Sequence, residues 1–208
     1  MKNIFTILLL ITSTSIYSQS FRASRNVIST SLYQPFTTIG GYTLSFERTL
    51  DPGYSLTVAQ FSYKLNVTSL YNNKRARLDG PQRFYDSDAY QYSGFAIMPE
   101  IRYYFAWDAP VGVYMNLFGS YADYSRIYTD VRVGNAANNE TRYSEIGRGI
   151  GAGYQFKIFD DFTLDILVGY NRLVLNSEVK NFGSDEFIEN PKENDEKLYV
   201  NLHFGFNF

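Results

Sequence analysis

The sequence predicts an all-β protein, an eight-stranded antiparallel up-and-down transmembrane β-barrel preceded by a signal peptide. Three observations lead to this prediction: an apolar leader at the start of the chain, alternation of apolar and polar residues through most of the remainder, and connections that are alternately short and long. Successive side chains of a strand point to opposite faces, so alternation with a period of two indicates strands. Each strand is then apolar on one face and polar on the other.

Residues 1–18 have the features of a secretory signal peptide. Lys2 precedes an apolar run from Ile4 to Ile11, and small polar residues follow as far as Ser18. The run is too short to cross a bilayer as a helix, and later aliphatic runs are shorter still. We therefore predict an exported protein with two regions, a signal peptide at 1–18 and a membrane-embedded β-barrel at 19–208.

Eight segments of the mature chain read as strands, and turn residues separate them. Tight turns at 51–53, 107–110 and 160–161 alternate with longer polar connections at 67–92, 131–142 and 179–196, and the connection at 34–38 is short. An even number of strands places both termini and the tight turns at one end and the long loops at the other, as in outer-membrane barrels. Pro99 predicts a bulge, because proline removes a ladder N–H. The predicted strands are 26–33, 39–50, 54–66, 93–105, 111–128, 143–158, 162–175 and 197–208.

The polar faces of these strands carry charged residues that we place inside the barrel. An eight-stranded barrel is wide enough inside only for side chains, so opposite charges can pair there in a water-poor space. The glycines at 147, 149, 151 and 153 share this face and are expected to make room for long neighbouring side chains. The apolar faces then turn outward toward lipid. The predicted polar network of the lumen, with a structural role, comprises Glu47, Glu100, Arg102, Lys157, Asp165, Lys197 and His203.

Aromatic residues are predicted to form two girdles at the membrane interfaces. The girdle near the turns comprises Tyr54, Phe105, Trp107, Phe159, Phe162 and Phe208, and the one nearer the loops comprises Tyr33, Tyr63, Tyr92, Tyr124, Tyr143 and Tyr170.

The final segment, LYVNLHFGFNF, ends on an aromatic residue and has apolar residues at alternate positions, among them Leu202, Phe204, Phe206 and Phe208. It resembles the C-terminal membrane-insertion signature of outer-membrane barrels of Gram-negative bacteria, and the mature chain resembles the small OmpA/OmpX-type class. The resemblance implies a location in the outer membrane and recognition of the last strand by the barrel-assembly machinery during insertion. It also implies contact with outer-membrane lipids and lipopolysaccharide.

We expect a non-enzymatic barrel that has a structural role or interacts through its loops at the cell surface. One long loop is basic, with Lys74, Arg75, Arg77 and Arg83, whereas the connection at 179–196 is acidic. Two solvated loops without a ligand are one interpretation of these charges, and retention of lipid phosphates by the basic loop is another. An unknown partner at the surface or in a secretion system is also compatible with the sequence.

Three alternatives remain, and one of them is a soluble secreted barrel of the lipocalin kind with its apolar residues inside. A lipid A deacylase or acyltransferase would need a nucleophile beside a base, and the residue two positions after His203, the one histidine, is Gly205. A narrow diffusion pore would need an open path between long lumen side chains. With no cysteine and a formal net charge of −2, the composition predicts no metal, no cofactor and no nucleic-acid partner.

Overall fold

The computed structural model describes residues 26–32, 40–50, 60–74, 88–105, 109–130, 137–159, 161–180 and 186–208, so the predicted signal peptide lies outside the described residues. These residues form one antiparallel sheet, and no described helix is long and apolar enough to cross a membrane. The strands are β1 (Asn26–Ser31), β2 (Tyr42–Leu50), β3 (Gln60–Lys74), β4 (Asp88–Tyr104), β5 (Gly112–Asp130), β6 (Ala137–Phe159), β7 (Phe162–Lys180), β8 (Ile188–Glu189) and β9 (Glu193–Asn207).

Eight of these strands pair in a closed ring. Neighbours in the chain pair from β1 to β7, β9 pairs with β7, and β1 pairs with β9 to close the ring. The two-residue strand β8 pairs with the loop-side end of β7, beside Glu178 and Val179. The predicted all-β antiparallel barrel is thus confirmed, with β8 as an additional short strand.

The register of the ring is staggered by ten residues. Thr30 of β1 pairs directly with Phe204 of β9. When paired residues are followed from Thr30 the other way around the ring, through β2 to β7, they lead to Asn194 of β9, ten residues before Phe204. A stagger of this kind tilts the strands and leaves an eight-stranded barrel only wide enough for side chains to fill. The path runs through Leu44, Val67, Ile97, Tyr121, Ile146 and Val174.

Most strands extend further on the loop side than the sequence predicted, but β1 ends at Ser31 and β2 begins at Tyr42, inside the predicted bounds of 26–33 and 39–50. β3 continues to Lys74, β6 begins at Ala137 and β7 continues to Lys180, so parts of the predicted loops at 67–92, 131–142 and 179–196 are strand. Backbone pairing continues wherever a neighbouring strand is present, whereas apolar alternation ends where the outward side chains become polar. The predicted boundaries followed the alternation and were therefore wrong at this end.

The bulge predicted at Pro99 was also wrong. Pro99 lies opposite Leu65, and the register between β4 and β5 is the same before and after it, at Ile97 and at Glu100. A bulge needs an extra residue in one strand, and a proline removes one N–H without adding a residue. The register shift that the described strands do contain lies between Lys157 and Phe159.

Exposed and buried positions alternate with the polarity opposite to that of a soluble protein. Asp165 and Asn171 of β7 face the interior and are buried, whereas Ile166 and Tyr170 face outward and are exposed. The outward residues form what we call the apolar belt. It includes Ile28, Leu44, Leu50, Phe61, Tyr63, Ile97, Ile101, Val113, Met115, Leu117, Ile150, Tyr154, Phe156, Ile166, Val168, Val200, Phe204, Phe206 and Phe208.

Candidate functional site

Arg102 occupies the middle of a buried layer of charges inside the barrel. Its Nε lies 3.0 Å from Oε2 of Glu100, its Nη1 lies 3.2 Å from Oε2 of Glu47, and its Nη2 lies 2.9 Å from Oδ2 of Asp165. These four residues come from β2, β4 and β7. The guanidinium is fully buried, so removal of its partners would leave an uncompensated charge in the interior.

Lys64 supplies the second positive charge of this layer, with its Nζ 2.8 Å from Oδ2 of Asp165. Two cations therefore face three carboxylates. Neutral donors stabilise the additional negative charge, because each carboxylate also accepts hydrogen bonds from hydroxyl or amide groups. The donors are Ser62 and Tyr104 to Glu47, Asn66 and Asn116 to Glu100, and Tyr114 to Asp165.

The structure brings together part of the network that the sequence predicted. Glu47, Glu100, Arg102, Asp165 and His203 are all buried inside the barrel. The remaining two members stand apart: Lys157 and Lys197 are exposed, and Lys197 forms a surface salt bridge of 3.1 Å with Asp195. Both lysines keep the inward register but lie toward opposite ends of their strands, where water reaches them.

Four important members of the layer were missed. Lys64 lies between the outward residues Tyr63 and Leu65, so the alternation of β3 was a signal that its side chain points inward. Tyr104 follows Arg102 by two positions and therefore shares its face. The sequence predicts aromatic rings on the outer face, yet the rings of Tyr104 and Tyr114 face inward, and Cζ of Arg102 lies 4.3 Å from the centroid of the Tyr114 ring. The fourth residue is Gln155, which accepts a hydrogen bond from Arg102.

The glycines of β6 make room for this filling, as predicted. A Cβ at Gly149 would lie 2.3 Å from Cζ of Phe118, and one at Gly153 would lie 2.4 Å from Cζ of Tyr114. Both distances are far inside van der Waals contact. The absence of a side chain on this stretch of β6 is therefore what allows the rings of β5 into the lumen.

His203 has hydroxyl neighbours, which the sequence did not reveal. Its Nδ1 lies 3.2 Å from Oγ of Ser45 and 3.4 Å from Oγ of Ser29, and Asp165 is its paired residue on β7. These are the residue types of a nucleophile and a base. However, all four are buried, and Asp165 is held by Lys64 and Arg102, so the cluster has the character of an internal polar contact.

The loop-side girdle differs from its prediction. Tyr124 is buried, stacks on Tyr143 with 4.9 Å between ring centroids, and donates a hydrogen bond to Glu145. Tyr170 is exposed as predicted. The other exposed tyrosines toward this end are Tyr42, Tyr71 and Tyr121. Tyr33 of this predicted girdle, and Tyr54 and Trp107 of the predicted girdle near the turns, lie outside the described residues.

Most of the predicted basic loop lies outside the described residues. Lys74 is the last residue of β3, and Arg75, Arg77 and Arg83 lie outside the described residues. The residues of the predicted membrane-insertion signature lie within the described part of the chain. Phe204, Phe206 and Phe208 face outward at exposures of 38 to 46%, and Leu202 shares their face. Within the described ranges, no group of three or more histidine and carboxylate residues is arranged to hold a metal ion.

Together these features define a closed antiparallel β-barrel with a filled, ionic interior and an apolar exterior. The chain belongs to the family described as "Protein of unknown function (DUF3575)", whose model matches residues 4–203. Its fold is similar to that of a major outer membrane protein from Thermus thermophilus, with a TM-score of 0.57 and 14% identity over 90% of this chain and 100% of that chain. No curated protein matches the chain in sequence.

Proposed function

We propose that this protein is an outer-membrane β-barrel of the small OmpA/OmpX type, exported through a cleaved signal peptide, with a structural or loop-mediated role at the cell surface. The observation that carries the proposal is the inverted arrangement of its side chains. Leu117 and Ile101 of the belt are 63% and 59% exposed, whereas Arg102 and Glu47 are at most 1% exposed. In water such a belt would be an unusually large apolar patch, but in hydrocarbon it is the expected surface.

The height of the apolar belt supports a membrane. On β9 the outward residues are apolar from Leu198 to Phe208, which is 11 residues and matches the roughly 9–11 residues of a tilted transmembrane strand. On the loop side the outward face then becomes polar, at Glu196 on β9, Asp123 on β5 and Ser144 on β6. The shared fold with the Thermus outer membrane protein supports the same location.

A non-enzymatic role is supported by the burial of the groups that could do chemistry. Ser45 and His203 are at most 2% exposed and lie inside the ring, away from any lipid substrate. The same layer of ionic side chains and tyrosine rings is buried inside the barrel, which supports a closed lumen over a diffusion pore.

The fold and location are tested by expression in a Gram-negative host. We expect the protein in the outer-membrane fraction, resistant to carbonate extraction, with its mature N-terminus near residue 19. We also expect a shift in gel mobility between heated and unheated samples. A protein that stays folded in buffer without detergent, as a soluble barrel of the lipocalin kind would, contradicts the proposal.

The role is tested separately. Mass spectrometry of lipid A from cells with and without the protein is expected to show identical species, and planar bilayers are expected to show no steady conductance. A change in acylation would favour the deacylase or acyltransferase alternative, and stable channels would favour the pore.

Insertion through the terminal signature is tested with Phe208→Ala. We expect slower insertion by the barrel-assembly machinery with little change in the stability of the folded product, because Phe208 lies after the last residue of β9. Leu198→Ala, at the other end of the same outward row, is the matched control and is expected to insert at the normal rate.

A further inference from the structure

Two arginines lie side by side on the outside of the barrel. Arg148 of β6 and Arg172 of β7 are directly paired across the two strands, both are exposed, and both share the outward face with Ile150 and Tyr170. Like charges directly opposite each other in a sheet repel. An anion placed between the two guanidiniums would convert this repulsion into attraction.

The protein itself supplies little negative charge here. Arg172 pairs on its other side with Glu196, whose carboxylate is hydrogen-bonded to the Tyr170 side chain. Arg148 pairs on its other side with Gly119, which has no side chain. In the described part of the chain neither arginine forms a salt bridge. Among the residues paired with the two arginines, Glu196 supplies the one carboxylate.

The pair lies near the loop-side edge of the apolar belt. One outward position further on are Ile146 and Val174, and the next outward positions are the polar residues Ser144 and Asn176. This is the depth at which long basic side chains reach the headgroups of a bilayer while their stems stay in apolar surroundings. Guanidinium groups bind phosphate through two parallel hydrogen bonds, which makes a phosphate the best-matched anion.

A recess lies beside the pair. Gly119 faces outward between Leu117 and Tyr121, and a Cβ added to it would meet no atom closer than 3.9 Å. This position contrasts with the crowded inward glycines of β6. The Gly119 backbone forms the floor of this recess, with Leu117 and Tyr121 on either side along β5. Pro99 of β4 lies 3.9 Å from where the Cβ would be, and Arg148 of β6 is paired with Gly119 on the other side.

We propose that Arg148 and Arg172 bind the phosphate of a phosphorylated membrane lipid and that the first part of an acyl chain occupies the recess over Gly119. The site rests on the membrane insertion proposed above and specifies a lipid class for it. The phosphate could belong to a phosphorylated glycolipid such as lipid A or to a glycerophospholipid, and these two sources share the same chemistry.

The site is tested with the purified barrel in detergent, using the double variant R148Q/R172Q. The probes are bis-phosphorylated lipid A, the same lipid without phosphates, a phosphatidylglycerol, and inorganic phosphate alone, and native mass spectrometry measures binding. Each arginine is expected to contribute about fivefold in affinity for a phosphorylated lipid, so the double variant should bind it about 25-fold more weakly. Removal of the phosphates from the lipid should weaken binding to the wild-type protein at least as much as the double substitution weakens binding of the phosphorylated lipid.

Arg48→Gln is the matched control. Arg48 also has the outward register, but it lies toward the turn end of β2, opposite Tyr63, and carries the same charge. We expect it to leave lipid binding unchanged. Equal losses in Arg48→Gln and in the double variant would indicate a general effect of charge and would overturn the site.

Gly119→Leu tests the recess. It is expected to weaken binding of phosphorylated lipids severalfold and to leave the weak binding of inorganic phosphate unchanged. No loss with Gly119→Leu would overturn the acyl part of the site, and unchanged lipid binding by R148Q/R172Q would overturn the phosphate part. Preference between lipid A and phosphatidylglycerol identifies the source. Failure of the wild type to fold in detergent would instead refute membrane insertion.

Discussion

The inner and outer faces of the same strands follow opposite rules. On β4, Glu100 and Arg102 are buried and joined by a 3.0 Å salt bridge, whereas Ile101 between them is 59% exposed. On β7, Asp165 is buried beside the exposed Ile166. Inside, the charged groups meet particular partners at particular distances. Outside, apolar side chains contact one another, as the rings of Phe61 and Tyr103 do with 5.3 Å between centroids, and ion pairs do not fix their partners.

This comparison shows that burial and hydrophobicity are uncoupled in this barrel. The interior should be sensitive to every change of charge or volume, because its groups are desolvated and closely packed. In the membrane proposed above, the exterior should be sensitive only to polarity, because a lipid chain adapts to the shape of the side chain beside it. Variants on the two faces can therefore be compared in pairs.

The largest effect is expected for Arg102→Met, which leaves three buried carboxylates with only Lys64 to neutralise them. We expect a loss of about 3–5 kcal/mol in the free energy of unfolding. Urea unfolding in lipid vesicles, followed by tyrosine and tryptophan fluorescence, measures this loss. Arg148→Met, on the outer face, is the control and should change stability by at most about 0.5 kcal/mol. Equal losses in the two variants would contradict the comparison.

A charge on the apolar belt should have the next largest effect. Ile150 and Ile188 are 57% and 59% exposed, so in water their replacement by arginine would cost the same. In a bilayer, Ile150→Arg is expected to cost about 2–4 kcal/mol, because Ile150 lies in the belt. Ile188 lies on β8, beyond the belt, and Ile188→Arg should cost about 0.5 kcal/mol or less. Indistinguishable variants in lipid vesicles would argue against a membrane-facing belt.

A glycine-to-alanine substitution on each face tests how much free volume that face has for one added methyl group. Gly149→Ala would bring a Cβ to 2.3 Å from the Phe118 ring and from the Tyr170 carbonyl oxygen, and we expect a loss of about 1–3 kcal/mol. Gly119→Ala faces open space and should stay within about 0.5 kcal/mol of wild type. A crystal or NMR structure of Gly149→Ala should show a displaced Phe118 ring. A similar tolerance at both positions would mean that the interior is less closely filled.

The smallest difference is expected for the removal of one methylene. Leu167→Val, at a buried position, should cost about 0.5–1.5 kcal/mol, whereas Leu117→Val, at the most exposed belt position of β5, should cost less than about 0.5 kcal/mol. The unfolding midpoints of the two variants in the same vesicles provide the measurement. A larger loss of stability in Leu117→Val than in Leu167→Val would contradict the expectation that the inner face is the more sensitive to volume.

Much of the fold could be predicted because alternation is a local property. A strand places successive residues, such as Glu100 and Ile101 or Asp165 and Ile166, on opposite faces whatever lies next to the strand. Which residues share a face therefore follows from their positions in the chain alone. The tight turns and the even number of long strands then led to a closed ring. The absence of a bulge at Pro99 and the short strand β8 could not be predicted, because both depend on what the neighbouring strand does.

By itself, therefore, the sequence determined which side chains share a face and that the apolar face is the outer one. The tertiary structure alone decided which inward residues meet. Lys64 and Asp165 are 101 positions apart, and their 2.8 Å contact exists because ring closure with a stagger of ten residues brings β3 and β7 to the same depth across a narrow lumen. Lys157 and Lys197 are on the same inward face as the buried network, but with this stagger they lie near the open ends of the barrel and are exposed.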